Sequence, residues 1–171
     1  MKTTAIILPL VAALGLMAGC GTSYAWRPSV TEAQRTVSEP TFRNESDVAE
    51  LGAVATRQLL REFQREGTFS IRASGDAVIE IQGVIKAATA GVTGYDRRSG
   101  MRAGAYEFIA VAEVSVVDKP AGKVLVNNRQ YTARANFSAA QDRTTARRDA
   151  SGRAMEDLAR QVVDDVLGLK W

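Results

Sequence analysis

Residues 105–117 read Ala-Tyr-Glu-Phe-Ile-Ala-Val-Ala-Glu-Val-Ser-Val-Val. Tyr106, Phe108, Ala110, Ala112, Val114 and Val116 recur at every second position, which is the period of a β-strand and not of a helix. The intervening Glu107, Ile109, Val111, Glu113, Ser115 and Val117 mix charge with apolar bulk. One face of this strand is therefore built for a core, and the other for something less dry.

Similar runs lie on both sides. Asp76 to Thr89 alternates Ala77, Ile79, Ile81, Gly83 and Ile85 against Glu80, Gln82 and Lys86. Val124 to Phe137 places Leu125, Tyr131, Ala133, Ala135 and Phe137 in phase. The first junction, Gly91 to Gly104, is rich in glycine and carries Arg97, Arg98 and Arg102, so it reads as a long hairpin tip. The second, Asp118-Lys119-Pro120-Ala121-Gly122-Lys123, is a tight turn. Three strands of about a dozen residues span roughly 40 Å at ~3.3 Å per residue and form an antiparallel meander.

Helical periodicity flanks the meander. Leu51, Ala55, Leu59 and Phe63 recur every fourth residue within Val48 to Glu66, which Gly67 ends. Asn44-Glu45-Ser46-Asp47 before it reads as a turn, with Ser46 or Asp47 offering the capping oxygen. Ala146, Ala150, Ala154, Leu158, Val162 and Val166 mark a second amphipathic helix. Thr36 to Phe42 is a candidate first strand, in which Pro40 suits a sheet edge or a strand end. The expected fold is α+β, in the order β-α-β-β-β-α. It is a two-layer sandwich with a four-stranded, mostly antiparallel sheet and both helices on one face.

The beginning of the chain has a different character. Met1-Lys2 is a short basic start, Ala5 to Leu16 is apolar and too short to span a bilayer, and Leu16-Met17-Ala18-Gly19-Cys20 follows. The small residues Ala18 and Gly19 fit a peptidase site, and Cys20 supplies the thiol that is lipidated. The pattern resembles the bacterial lipobox. The expected organisation is a lipoprotein signal peptide over 1–19, a lipidated tether over 20–34 and one domain over 35–171. Covalent acyl lipid, palmitate included, would sit on Cys20 and anchor the product stably to a membrane. Gly21, where an aspartate would retain a lipoprotein at the inner membrane, implies the cell outer membrane, on its periplasmic side.

Composition narrows the function. The chain has 171 residues, one cysteine and no histidine. The commonest general base and metal ligand is thus absent. No Gly-x-Ser-x-Gly elbow, phosphate-binding glycine loop or metal-ligand cluster appears, so we expect neither an enzyme nor a metal or other cofactor. The formal charge of +3 does not call for nucleic acid. Basic residues gather between Lys119 and Arg153, while Asp164-Asp165 reads as a solvated acidic helix end. The uneven charge hints at an anionic partner, while a solvated arginine face is the simpler reading and the one we favour.

Several stretches carry a family resemblance. They are Cys20-Gly21, then Val37-x-x-Pro40-x-Phe42-x-Asn44-x-Ser46, Leu59 to Gly67, Asp76 to Gly83, Asp118 to Leu125, and Ala154-x-x-Asp157-Leu158-Ala159. In this order the chain resembles the LPS-assembly lipoprotein family, LptE. The resemblance implies the same fold and a non-enzymatic role: a plug and assembly aid within the outer-membrane β-barrel translocon LptD, in contact with lipopolysaccharide. Arg97, Arg98 and Arg102 are candidate lipid-phosphate contacts on their chemistry alone. The other reading is a periplasmic adaptor lipoprotein, either an activator of a cell-wall synthase or an auxiliary subunit of a lipid transporter.

Overall fold

The computed structural model describes residues 35–38, 40–95, 103–138 and 142–169. Six strands and two helices follow in the order β1 (Thr36–Ser38), β2 (Thr41–Asn44), α1 (Leu51–Glu66), β3 (Ser70–Arg72), β4 (Ile79–Tyr95), β5 (Ala103–Asp118), β6 (Lys123–Ser138) and α2 (Arg143–Gly168). The fold is α+β, with both helices packed on an open mixed sheet. Strand order is β3-β1-β4-β5-β6, and β2 also pairs with β4.

Among the described residues the sheet has six strands where four were expected. Pro40 divides the first strand, because it has no N–H to give to a ladder. The pieces β1 and β2 lie in succession along one flank of β4, Val37 beside Ile79 and Thr41–Asn44 beside Gln82–Ile85, all parallel. The other addition, β3, pairs with β1 and is too short for its alternation to stand out in the sequence.

Phe42 holds these pieces together. It is 8 % exposed, and its ring lies on the backbone of Gly83 in β4. A Cβ on Gly83 would come within 2.2 Å of that ring, and one on Gly52 in α1 within 2.5 Å of the Phe42 carbonyl oxygen. The Phe42 amide donates to Thr56 Oγ1 at 3.3 Å. Helix, strand and ring therefore meet at a separation that only glycine permits. Asn44 then shapes the exit from β2: its Oδ1 accepts from the Ser46 amide (3.1 Å) and hydroxyl (2.7 Å), and its Nδ2 donates to the Val48 carbonyl (2.8 Å). The helix consequently starts at Leu51, not Val48. Its cap position is Glu50, left-handed at φ 63°, without a side-chain cap from Ser46 or Asp47.

The meander is longer than its periodicity suggested, because β4 runs to Tyr95 and β5 begins at Ala103. Register shifts interrupt it at Ile85/Ala87, Val92/Gly94 and Gly94/Tyr95 along β4 and at Val114/Val116 and Val116/Val117 along β5, and two of them re-phase the core. Ile85 faces Ala112 and Ala87 faces Val111, so Lys86 is an extra residue; core positions pass from Ile79, Ile81 and Ile85 to Ala88. In β6 a bulge near Asn128 (φ 43°) brings Val126 rather than Leu125 into phase with Tyr131, Ala133 and Phe137. Asn128 and Ser115 bridge it reciprocally: the Asn128 amide donates to Ser115 Oγ (3.0 Å), which donates to Asn128 Oδ1 (2.9 Å).

Both helical stripes are buried as expected, including Leu51, Ala55, Leu59 and Phe63 in α1 and Ala146 through Val166 in α2. Asp142 caps α2 by accepting from the Thr145 amide at 2.9 Å. At the far end Asp165 is not simply solvated: it accepts from the Tyr131 hydroxyl (2.7 Å) and pairs with Arg129 (3.1 Å). Burial, then the hydrogen bond to Asp165, pushes the Tyr131 phenol well above its ordinary range.

Two predictions follow from these contacts. Gly52→Ala should destabilise the protein by about 1–3 kcal/mol in urea unfolding, although alanine favours a helix intrinsically, because the added methyl drives α1 off Phe42. Tyr131 is an acid whose folded form holds its proton longer, so stability should fall as pH rises above about 10, the ordinary tyrosine value. Tyr131→Phe should remove much of that alkaline loss while costing about 1 kcal/mol at neutral pH. A variant that keeps the full alkaline slope would show that another group controls it.

Candidate partner-binding surface

The helices cover one side of the sheet and leave the other bare. The pairing register fixes which residues lie there. Glu80, Gln82 and Val84 of β4 face Val117, Ser115 and Glu113 of β5; beyond the bulge, Ala87 and Thr89 face Val111 and Ile109. On β6, Gln130, Thr132 and Arg134 continue the same rows. Thr41 and Arg43 of β2 complete them.

This face has a zoned character. Its centre is aliphatic: Val84, Ile109, Val111 and Val117 are half-buried. Its margins are charged, and most charges are matched. Arg134 pairs with Glu107 at 3.8 Å, and Lys119 with Glu80 at 3.7 Å. Gln82 donates to Glu80 at 2.6 Å. Beside β2, Glu45 accepts from both Lys86 (2.5 Å) and Arg43 (2.9 Å), and these partners hold its carboxyl below the usual range. An aliphatic strip within a satisfied polar rim suits reversible or permanent contact with another polypeptide.

The basic stretch from Lys119 to Arg153 does not form one patch. Lys119 is occupied at the β5–β6 turn, Arg129 on Asp165, and Arg134 on Glu107. Arg153 donates to the Asn136 carbonyl at 2.9 Å. Arg147 and Arg148 instead line a groove of about 720 Å³ between the first turns of the two helices, with Arg57 opposite. Asp47, Glu50, Asp149 and Glu156 line it too, so the groove is balanced in charge.

Cys20 and the hairpin arginines Arg97, Arg98 and Arg102 lie outside the described residues. Among the described residues, no group of three or more His, Cys, Asp or Glu side chains converges as a metal site would require. No helix among them is long and apolar enough to cross a membrane. The periodicity located the strands of the bare face but not their rows, which depend on the Lys86 bulge.

Comparison with known proteins places this architecture. A minor lipoprotein from Acinetobacter baumannii is similar in fold, with a TM-score of 0.51 at 12 % identity, over 80 % of this chain and 96 % of that one. A hypothetical protein from Chlamydia trachomatis gives 0.50 at 16 % identity, over 79 % and 96 %. No curated protein matches the sequence. The family model described as lipopolysaccharide-assembly matches residues 34–166, which span every strand and nearly all of α2. The chain therefore belongs to the LptE family of lipopolysaccharide-assembly proteins.

Proposed function

We propose that this protein is an outer-membrane lipoprotein, anchored through acyl chains on Cys20 and facing the periplasm, that plugs and helps assemble an LptD-like β-barrel translocon for lipopolysaccharide. The observation that carries the reading is the family match over residues 34–166, joined to a sheet face left bare by both helices. A barrel lumen is lined by polar side chains, and the paired charges around the bare face would meet such a lining without stranding an ion. The aliphatic strip along β5 supplies the area that anchors the contact. Residues 20–34 provide a tether that reaches at most ~50 Å from the lipid, at ~3.3 Å per residue. That length keeps the domain close to its own membrane.

The role is one of binding, with no catalytic step and no cofactor beyond the covalent lipid. The basic side chains Arg97, Arg98 and Arg102 are proposed to meet lipopolysaccharide phosphates.

The test is recovery from outer membranes in mild detergent. The wild-type protein should co-purify with a large barrel. Val111→Arg, which sets a charge on the aliphatic strip, should cut recovery at least tenfold while leaving thermal unfolding within a few degrees of wild type. Cys20→Ser should release the protein from membranes. Isolation of the wild type only as a free chain, or unchanged recovery of the Val111→Arg variant, would overturn the reading.

A further inference from the structure

Around the sheet, Glu45, Glu80, Glu107 and Asp165 each hold a basic partner. The groove between the first turns of the two helices is different. Asp47, Glu50 and Arg57 line it on the α1 side, and Arg147, Arg148 and Asp149 on the α2 side. Among the described residues, none of these six side chains forms an ion pair or a hydrogen bond. Arg153 and Glu156 also line the groove but are engaged elsewhere, on the Asn136 carbonyl and on Arg160 (2.6 Å). The free charges are thus of both signs and unevenly divided. Acids exceed bases on the α1 wall, and bases exceed acids on the α2 wall.

Two backbone features set the shape of this space. Gly152 lies inside α2, where glycine weakens a helix relative to alanine, yet a Cβ there meets nothing within 4 Å. Packing within the domain does not call for glycine at this point, and a wall without a side chain admits close approach from outside. On the opposite wall Glu50 is left-handed at φ 63°, a conformation that glycine adopts far more readily than glutamate. Backbone strain of this kind concentrates where a site needs a group held in place. Val48 and Val54 line the groove as well and pack on the core, so the lining is not wholly polar.

We infer that this groove binds a zwitterionic phosphate–amine headgroup, of the phosphoethanolamine kind that phospholipids carry. The phosphate lies on the α2 wall, where Arg147 and Arg148 donate charge-assisted hydrogen bonds to its oxygens. The ammonium lies on the α1 wall, against Asp47 and Glu50. The glyceryl portion and the first methylenes run over Val48 and Val54, and the bare Gly152 backbone leaves them room. A ligand of one sign fits less well: a plain anion meets the free acids, and a plain cation meets the free arginines. A headgroup carrying both charges answers both walls and leaves the groove neutral. The volume, about 720 Å³, is that of a site for one small ligand. The inference is independent of the barrel reading.

The test uses the full-length chain in a neutral sugar detergent, with thermal unfolding followed by circular dichroism. Dihexanoyl-phosphatidylethanolamine should raise the midpoint saturably by several degrees. Dihexanoyl-phosphatidylglycerol and inorganic phosphate should need at least tenfold higher concentrations for the same shift. Joint Arg147→Gln and Arg148→Gln should abolish the response. Glu50→Gly removes the carboxylate while suiting the left-handed backbone. It should therefore unfold within a few degrees of the wild type without lipid, yet lose at least fivefold of the preference for the amine lipid. Gly152→Leu, which fills the groove, should also abolish binding, and the two charge variants serve if it fails to fold. Arg61→Gln, outside the groove, should respond as the wild type does. A folded wild type that ignores the amine lipid would overturn the proposal. So would an equal response to phosphatidylglycerol or inorganic phosphate, which would mark a plain anion site, or a full response in folded Gly152→Leu.

Discussion

The close approach of α1, β2 and β4 around Phe42 is the constraint on which the domain depends. Phe42 is pinned from two sides by backbone, Gly83 below its ring and Gly52 against its carbonyl. Protein interiors pack too densely to absorb an extra methyl at such a point without moving an element. Because β2 is only four residues long, its few ladder bonds do not suffice to position a helix. The ring fixes β2 against β4, and the Phe42–Thr56 and Asn44–Val48 hydrogen bonds then aim the chain into α1. Once α1 is seated, Leu51, Ala55, Leu59 and Phe63 reach the shared core.

The second constraint is one of phase. A strand has period two, so a single extra residue exchanges its faces. Lys86 is that residue in β4, and its ammonium pairs with Glu45 just where β2 leaves the sheet. The bulge thus coincides with the end of the flanking strands. Before it, β4 is an interior strand with the isoleucines Ile79, Ile81 and Ile85 in the core. After it, no described strand flanks β4 on that side, and its residues from Ala87 to Tyr95 are uncharged. One strand therefore serves the core over its first half and presents a surface over its second.

These features separate three surfaces with different chemistry. The helical side is closed and dry beneath, with a charge-balanced groove above. The bare sheet face has an aliphatic centre and paired ions at its rim. The far half of β4 is uncharged, with Val92 and Tyr95 exposed. For a family engaged in lipopolysaccharide assembly, such a division gives one small domain several distinct contact surfaces.

By itself, the sequence determined the class of fold and the two helical stripes. Those patterns are local: an apolar residue every fourth or every second position demands a helix or strand with one buried face, whatever surrounds it. The Pro40-x-Phe42-x-Asn44-x-Ser46 stretch was also legible as a signature, but not for what it does. Only tertiary structure decided the split of the first strand, the short β3, the wedge at Phe42 and the bulges that set the faces of β4 and β6. It also dispersed the basic stretch from Lys119 to Arg153 and gave Asp165 to Tyr131 and Arg129. Each of these depends on which distant residue lies alongside: Gly83 beneath Phe42, Ala112 and Val111 beside Ile85 and Ala87, α2 over β6. Pattern along a chain carries period and burial; partnership across it exists only once the elements have packed.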